Sequence, residues 1–488
     1  MAVNNFKSRK AYKKRIKDFR LKADKFMIIV KWLTKIWFPD FDKSLIDSKI
    51  KTMIEWYTTR GPEWTVKRIK SLRLILSRNL AGKPLSQVPY LKYYKGNNNL
   101  WPKFFSNIEL LDLGNTNYIR FTYTLLEFSK LIDWWPKPSY SSITDAPTSS
   151  PILQGAELAR IYRKVSNYNI NVEWTEFHHS VKSGPIGRAV SSAIEEIKHI
   201  NPRLYENIAI FGGSNLRKSM DNCKTIMQNV PSSSLKGIYF KELHENETFR
   251  KISHINSREC KLRPIAIFDY WSQTCLKPFH DALFRALRTF SQDCTFNHNH
   301  AQFSNNNYCY DLTAATDRFP IKLQFEFLSE IIGSEKALAW KGIMISEKYR
   351  TPEGDFISYE TGQPMGAYSS WAIFSLCHHL VVQHCAEKAG LALPFKQYYL
   401  LGDDIVIQNS KVASLYEKAI QDLGVQYSED KTIESEDFME FAKRYWFKGT
   451  EVTPFHVVAV VDTYKSYIDL YSYITSMPQQ GWILPYSN

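Results

Sequence analysis

No stretch of this 488-residue chain approaches the ~20 consecutive apolar residues that a membrane-spanning helix needs, and no apolar segment with a cleavage site opens it. A soluble or peripherally attached protein is expected. Cysteine is sparse and scattered: Cys223, Cys260, Cys275, Cys294, Cys309, Cys377 and Cys385 include no CxxC pair, which excludes a zinc ribbon or a disulfide framework and implies a reducing interior. No internal repeat is evident, so solenoids and propellers are out. Charged residues at 23% beside hydrophobic residues at 44% exclude a disordered chain. Acids are the minority sign, 49 against 63 lysines and arginines, and the net +14 favours a polyanion partner without naming it. Aromatics are not scarce. At 14%, with 13 Trp, they supply core packing and stacking faces for unpaired bases.

The length suggests two to four subdomains at about 150 residues each. A dense basic run, Lys7, Arg9, Lys10, Lys13, Lys14, Arg15, Lys17, Arg20, Lys22 and Lys25, reads as an RNA-binding arm, a solvated face or a targeting helix; Asp18 and Asp24 count against targeting. The first ~95 residues look helical, with Phe26, Ile29, Val30, Leu33 and Trp37 at helical spacing before Pro39. Pro136 to Pro151, rich in Ser and Pro, reads as a linker. A helix is expected from near Arg188, after the Gly184-Pro185 loop. Gly212-Gly213-Ser214-Asn215 is a tight loop too short for a phosphate cradle. His378, His379, His384 and Cys385 crowd one stretch, where packing on a buried helix is the expected role rather than metal binding.

The most informative segment is Tyr398-Tyr399-Leu400-Leu401-Gly402-Asp403-Asp404-Ile405-Val406-Ile407: two carboxylates at a glycine turn between apolar, strand-like runs, the pattern of a hairpin. Burying unpaired carboxylates beside apolar strands costs several kcal/mol unless a cation compensates. Mg²⁺, a hard ion held by one or two carboxylates plus substrate phosphates, is the natural compensation, and paired ions serve phosphoryl transfer. A solvated surface turn is the alternative.

Companions lie upstream and downstream. In Lys261-Leu262-Arg263-Pro264-Ile265-Ala266-Ile267 an extended strand would put Lys261 and Arg263 on one side, as a triphosphate grip or as the charged protection of an edge strand. Asp311 ends a short apolar run, placed to share metal with the hairpin acids. Asp317 follows just before a helix expected over Ile321 to Ile332, as a substrate-sugar contact or a helix cap. Gly362-Gln363-Pro364-Met365-Gly366 leads through Ser369 and Ser370 into a long apolar helix. Its glycines would let the backbone approach template and sugar closely, with Ser369 or Ser370 donating hydrogen bonds; a helix start without a ligand is the alternative. After a helix from about Lys411 to Leu423, Lys431 is a candidate general acid toward leaving pyrophosphate. Lys443 and Arg444 suit a primer or product backbone.

Taken together these segments resemble viral RNA-dependent RNA polymerases, and most closely those of the mitoviruses, capsidless RNA replicons of fungal and plant mitochondria. Lys261 to Ile267 with Asp269-Tyr270-Trp271 resembles the family's motif F, Asp311 to Pro320 motif A, and Gly362 to Trp371 with His378 and His379 motif B. Gly402-Asp403-Asp404 resembles motif C, Lys431 the lysine of motif D, and Glu440 to Arg444 motif E. The likeness covers about residues 258 to 450. Five residues separate Asp311 from Asp317, where many relatives have four, and the motif B asparagine that selects ribose is missing.

The resemblance implies an α+β right-hand polymerase: a basic helical region over 1–150, fingers with motif F over 151–308, and a palm of antiparallel strands and helices over 309–450, with a fingers insertion at about 333–361. A thumb over 451–488 would be short, truncated or supplied by the N-terminal region. Asp311, Asp403 and Asp404 would be catalytic metal ligands for two Mg²⁺ ions, with Mn²⁺ able to substitute, and Lys431 the fourth catalytic residue. Lys261, Arg263, Asp317, Ser369 and Ser370 would bind NTP; Gly362, Gln363, Gly366, Lys443 and Arg444 would bind template or primer. Expected partners are single-stranded RNA template, product RNA and NTPs, with no capsid partner, in the host mitochondrion or otherwise its cytoplasm. A group II intron-type reverse transcriptase, a non-enzymatic basic RNA-binding protein and a decayed genomic copy are the competing readings. Glycine before the acid pair disfavours the first, and the acids themselves the second.

Overall fold

The computed structural model describes residues 2–39, 42–85, 102–105, 115–229, 249–297, 300–463 and 466–482, with side chains from residue 14 onward. The expected N-terminal helices form: α1 (Ala2–Trp37), α2 (Lys43–Arg60) and α3 (Pro62–Leu80). On α1, Phe19, Ala23, Phe26, Val30 and Leu33 recur every three or four residues and all are buried, so one stripe faces the core. Asp42 caps α2 by accepting from the Ser44 N–H, and Pro62 opens α3 where its missing N–H costs nothing. Of the basic run, the side chains of Lys7, Arg9, Lys10 and Lys13 lie outside the described residues. Arg15 stacks over Trp134 and Trp135, and Lys22 pairs with Asp133 at 2.5 Å.

Next come α4 (Thr116–Leu126), α5 (Ser141–Thr144), α6 (Gly155–Val165), α7 (Ala189–His199), α8 (Pro202–Gly212) and α9 (Ser214–Asn229), the last two joined at Gly213. The Ser- and Pro-rich stretch expected as a linker is instead a docked strap. Ile143 is fully buried. Arg318 donates to the carbonyls of Asp145 and Ala146, and the Ser149 hydroxyl to that of Asp422. Such composition signals irregular backbone, not missing contacts: hydroxyls and free carbonyls are what a strap needs to bond a neighbouring surface.

The remaining chain alternates short strands and helices. A hairpin, β1 (Lys251–Ser257) and β2 (Lys261–Ile267), precedes α10 (Tyr270–Leu287), β3 (Asn307–Asp311), α11 (Ala315–Arg318), α12 (Ile321–Ile332), α13 (Ser334–Ile345), β4 (Tyr349–Arg350) and β5 (Phe356–Ile357). Then follow α14 (Ser370–Lys388), β6 (Tyr398–Leu401), β7 (Asp404–Ile407), α15 (Ser410–Asp422), β8 (Ile433–Ser435), β9 (Phe438–Phe441), β10 (Arg444–Phe447), β11 (Thr450–Glu451), α16 (Val457–Thr463) and α17 (Tyr467–Ser476). The result is α+β. Sheet orders are β2-β1-β4-β5, β6-β7-β3-β8 and β11-β10-β9.

The sheet β6-β7-β3-β8 is antiparallel throughout and has a hydrophobic core on each face. Side chains alternate between faces with a period of two. Tyr310, Ile405, Ile407, Tyr398 and Leu400 enter a core shared with α10, α12, α14 and α15. Cys309, Val406 and Ile433 enter a second, built with α1 to α4, β9, β10 and α16. A sheet covered on both faces reads as nearly continuous apolar sequence, which is why the runs around Gly402 are unbroken. Helix α14 is buried on nearly every side, including His378, His379 and Cys385.

Candidate active site

The two strands of the acid hairpin leave only Gly402 and Asp403 between them, since Leu401 pairs with Asp404. Gly402 has φ +62°, and a Cβ there would lie 2.9 Å from Trp371 Nε1, so both conformation and space call for glycine. Its carbonyl accepts a 2.8 Å hydrogen bond from His378 Nδ1, whose Nε2 accepts from the Tyr416 hydroxyl at 2.7 Å. Burial pushes His378 down to about 3, so the ring is neutral and donates from Nδ1. A residue expected only to pack also anchors the acid turn.

Asp311, the last residue of β3, stands directly opposite Asp404 in the antiparallel register. Opposed residues in such a pair have Cα atoms about 4.5–5.5 Å apart, so the three carboxylates Asp311, Asp403 and Asp404 gather at one end of the sheet. Burial, then Asp403, Asp311 and Glu440, push Asp404 up to about 7, against the opposing pull of Lys443. Asp403 is also raised, first by burial and then by Asp311, while Lys261 and Arg263 act the other way. Like charges crowded in partial burial cannot all ionise freely.

Cations surround this cluster. Lys431 places Nζ 2.6 Å from Asp311 Oδ2. Burial pushes its ammonium down, but the bond to Asp311 and the charges of Asp311, Glu440 and Asp404 override it, so Lys431 sits above its ordinary value. Lys261 and Arg263 are exposed on the same side of β2. Lys261 is lowered by burial and by Arg263, against the pull of Asp403 and Asp311. β2 is an edge strand of its sheet, yet the Ala266 N–H donates to the Met365 carbonyl at 2.7 Å, which ties the strand to the glycine loop. Lys443 is exposed beside Arg444.

The glycine loop makes its close approaches to protein. A Cβ on Gly362 would fall 2.4 Å from the Asp317 and Thr316 carbonyl oxygens, and one on Gly366, at φ +111°, 2.4 Å from the Ala266 carbonyl oxygen. Gln363 is fully buried and donates to Gln324 Oε1 and the Ser370 carbonyl, both at 2.8 Å. Its side chain therefore faces the interior, not an open template groove. Ser369 adopts φ 72°; its N–H donates to His280 Nδ1 and its hydroxyl receives the Trp340 indole N–H at 3.0 Å. The buried Ser370 hydroxyl has no partner among the described residues. Asp317 lies in α11, not at a helix cap. Its Oδ2 receives the Ser142 hydroxyl at 2.7 Å, its Oδ1 is buried without a partner among the described residues, and burial pushes the carboxyl up to about 6 against Ser142 and Arg318.

Arg444 departs from the expected template contact. It is buried, forks onto Glu451 through Nε at 2.9 Å and Nη2 at 2.7 Å, and stacks over Trp446. Its charge is spent inside the protein.

The description "Mitovirus RNA-dependent RNA polymerase" matches residues 170–488. The chain belongs to that family. A relative from Cryphonectria parasitica mitovirus 1, named as an RNA-directed RNA polymerase, is 39% identical over 203 residues, 40% of this chain and 25% of that protein. The matched part of the chain thus spans a quarter of that relative's length. An uncharacterized mitochondrial protein of Arabidopsis thaliana is 38% identical over 167 residues, 32% of this chain and 66% of that one. An RNA-directed RNA polymerase beta subunit of Escherichia virus Qbeta is 26% identical over 157 residues, 32% of this chain and 25% of its own. Among solved structures, an insertion-loop deletion mutant of a human picobirnavirus RNA-dependent RNA polymerase aligns with a TM-score of 0.41 at 10% identity, covering 91% of this chain and 82% of that one.

Within this mitovirus-family chain, every carboxylate and cation of the candidate site named so far lies in the matched segment, whereas α1 to α6 precede it. Sequence reasoning passed over Glu440 as a site residue. It extends the acid cluster from β9, raised by burial and by Asp311 and relieved by Tyr445, Arg73 and Lys431. It gets there because β9 packs beside β3 in the second core, a contact between segments far apart in sequence.

Proposed function

We propose that the chain is an RNA-dependent RNA polymerase that copies a viral RNA genome by template-directed, Mg²⁺-dependent nucleotidyl transfer from NTPs. The observation that carries this reading is the register pair Asp311 and Asp404, with Asp403 in the adjoining turn and a two-cation strand nearby. Among the described residues no three His, Cys, Asp or Glu side chains converge as a ready metal cage. The donors nonetheless fit hard divalent ions: oxygen ligands, desolvated, with proton affinities raised by mutual repulsion. Asp311, Asp403 and Asp404 are the proposed ligands for two Mg²⁺ ions, Mn²⁺ substituting; such ions neutralise phosphate charge and lower the pKa of a bound hydroxyl.

In the proposed reaction a primer or initiating 3′-OH loses its proton to solvent water and attacks the α-phosphorus; a new P–O bond forms as the α–β bridge breaks, releasing pyrophosphate. Lys431, on leaving Asp311, gives a proton to the pyrophosphate. Lys261 and Arg263 take the triphosphate, while Asp317 with Ser369 or Ser370 bounds the sugar. Gly362, Gln363 and Gly366 shape the template side by setting the loop, and Lys443 contacts the primer backbone. Residues 151–308 would serve as fingers, 309–450 as palm with an insertion at about 333–361, and 451–488 with the N-terminal helices as thumb. Single-stranded RNA is the proposed template. The mitochondrial names of the Arabidopsis relatives support a mitochondrial location.

Purified protein with a homopolymeric RNA template, Mg²⁺ and labelled NTPs tests the reading. Template-length product is expected, falling by at least about 10³-fold in Asp403→Ala, on the scale of losing a metal or transition-state charge contact. Lys431→Ala should slow turnover by about 10²-fold, the scale of general-acid catalysis. Normal extension by Asp403→Ala would refute the assignment, and a preference for dNTPs would favour a reverse transcriptase.

A further inference from the structure

The β1–β2 hairpin carries Lys261 and Arg263, and its tip is held by a part of the chain that the family match does not include. Ser257 pairs with Lys261, leaving a three-residue turn of Arg258, Glu259 and Cys260. Glu259 and Cys260 both adopt left-handed backbone, at φ 61° and 57°, without being glycine. Such residues are unfavourable by about 1–2 kcal/mol each and persist where surrounding contacts over-determine them. Two seven-residue strands reach roughly 23 Å at 3.3 Å per residue, and an isolated hairpin of this kind is marginal in water.

The contacts that over-determine the turn come from two directions. Arg73 of α3 places Nη2 3.0 Å from Glu259 Oε1 and also donates to the Leu126 carbonyl and the Ser129 hydroxyl at 3.1 Å. The Ser129 hydroxyl bonds the same Glu259 oxygen, and Lys70 Nζ lies 3.6 Å from Oε2 and donates to the Glu259 carbonyl at 3.3 Å. Burial pushes the Glu259 carboxyl up, yet Arg73, Lys70 and Ser129 hold it at about 2. On the other side Arg258 pairs with Asp462 of α16. Lys261 follows the clamped turn directly, with its ammonium in the field of Asp403 and Asp311.

We propose that Arg73 and Glu259 are positioning residues for nucleotide binding: through them α3 holds the β1–β2 turn so that Lys261 and Arg263 stay presented to an incoming triphosphate. The N-terminal helices are on this account part of the substrate site, although the matched family segment begins at residue 170. The inference rests on the polymerase reading above. It adds to it a residue outside every motif, on a helix whose contact with the site no local sequence pattern announces.

Full-length Glu259→Gln and Arg73→Lys test this, the first removing the charge at constant shape and the second keeping charge while losing the Nη2 contacts to Glu259, Ser129 and Leu126. Glu259→Gln should raise the NTP KM by about 5–20-fold with kcat within about twofold, the pattern of lost ground-state binding. Equilibrium binding of a fluorescent NTP should weaken by the same factor, RNA affinity should hold, and Arg73→Lys should fall between wild type and Glu259→Gln. An unchanged NTP KM in Glu259→Gln would overturn the proposal, as would a joint fall in kcat, RNA affinity and melting temperature, which marks a merely structural pair. A wild-type protein that neither binds NTP nor makes RNA sinks the polymerase reading and this inference with it; an active wild type with an indifferent Glu259→Gln sinks this inference alone.

Discussion

The two faces of the β6-β7-β3-β8 sheet bury comparable side chains in unlike company. One face packs on helices close in sequence: Ile405 and Ile407 meet α14 and α15, and the core they join draws on residues 143–425. The other face packs on helices that lie hundreds of residues away: Val406, Ile433 and Cys309 share a core with Phe26, Leu72 and Tyr123, and Tyr123 stacks on Tyr445 at 4.4 Å. The comparison teaches that the acid turn is supported from both sides. The N-terminal helices are half of its foundation, not an appended arm, and the same helices reach the β1–β2 turn through Arg73.

The largest expected effect breaks this comparison outright. A chain beginning at residue 170 retains the whole family-matched segment with its proposed metal, NTP and template residues, but loses Arg73 and uncovers the face bearing Val406 and Ile433. It should fail to fold, seen as aggregation and the absence of a cooperative melt. A soluble, cooperatively melting fragment would show that the second core is dispensable.

A milder pair of substitutions compares the faces directly. Ile405 and Val406 are adjacent and fully buried, pointing into opposite cores. Ile405→Ala should lose about 2–5 kcal/mol by denaturant unfolding, the range for large-to-small core changes. Val406→Ala, with one methylene less to lose, should still lose about 1–3 kcal/mol. A Val406→Ala protein as stable as wild type would mean that the N-terminal face is loosely packed.

The two faces were not equally legible beforehand. The acid hairpin, the helix Ile321–Ile332 and the long helix after the glycine loop follow from periodicity and turn chemistry within short windows, so their positions could be read from neighbours alone. The strap at Ser142, the clamp at Arg73 and the place of Glu440 depend on contacts more than a hundred residues long, which leave no local period. Composition misled twice. Ser and Pro at 136–151 looked like a linker because irregular backbone and absence of contact share one signature, and Arg444 looked like a phosphate contact because its partner Glu451 sits beyond a turn. Gly362 and Gly366 were expected to bring the backbone close to template and sugar, but sequence cannot say whether a backbone approaches a ligand or another part of the chain; here they meet Asp317 and Ala266.

The smallest expected effect concerns the end of the sheet, where both cores stop and the carboxylates gather. Asp404 is held at about 7 against an ordinary value near 3.9, so the folded state binds its proton more tightly than the unfolded state. Stability from this group is therefore present below pH ~4 and is lost as pH rises through about 7. Asp404→Asn removes the loss while keeping the shape. Without divalent ions, the variant should melt about 1 °C above wild type at pH 8, the shift expected for roughly 1 kcal/mol at about 2.1 cal/mol/K per residue in a chain this long. The gap should close as the pH falls toward 4. Added Mg²⁺ should raise the melting temperature of wild type more than that of the variant, because bound ligand stabilises only the state that holds it. An asparagine variant that melts below wild type at pH 8 in chelator would mean that the acid end is not under electrostatic tension, and that the two cores, not the carboxylates, set the stability of this edge.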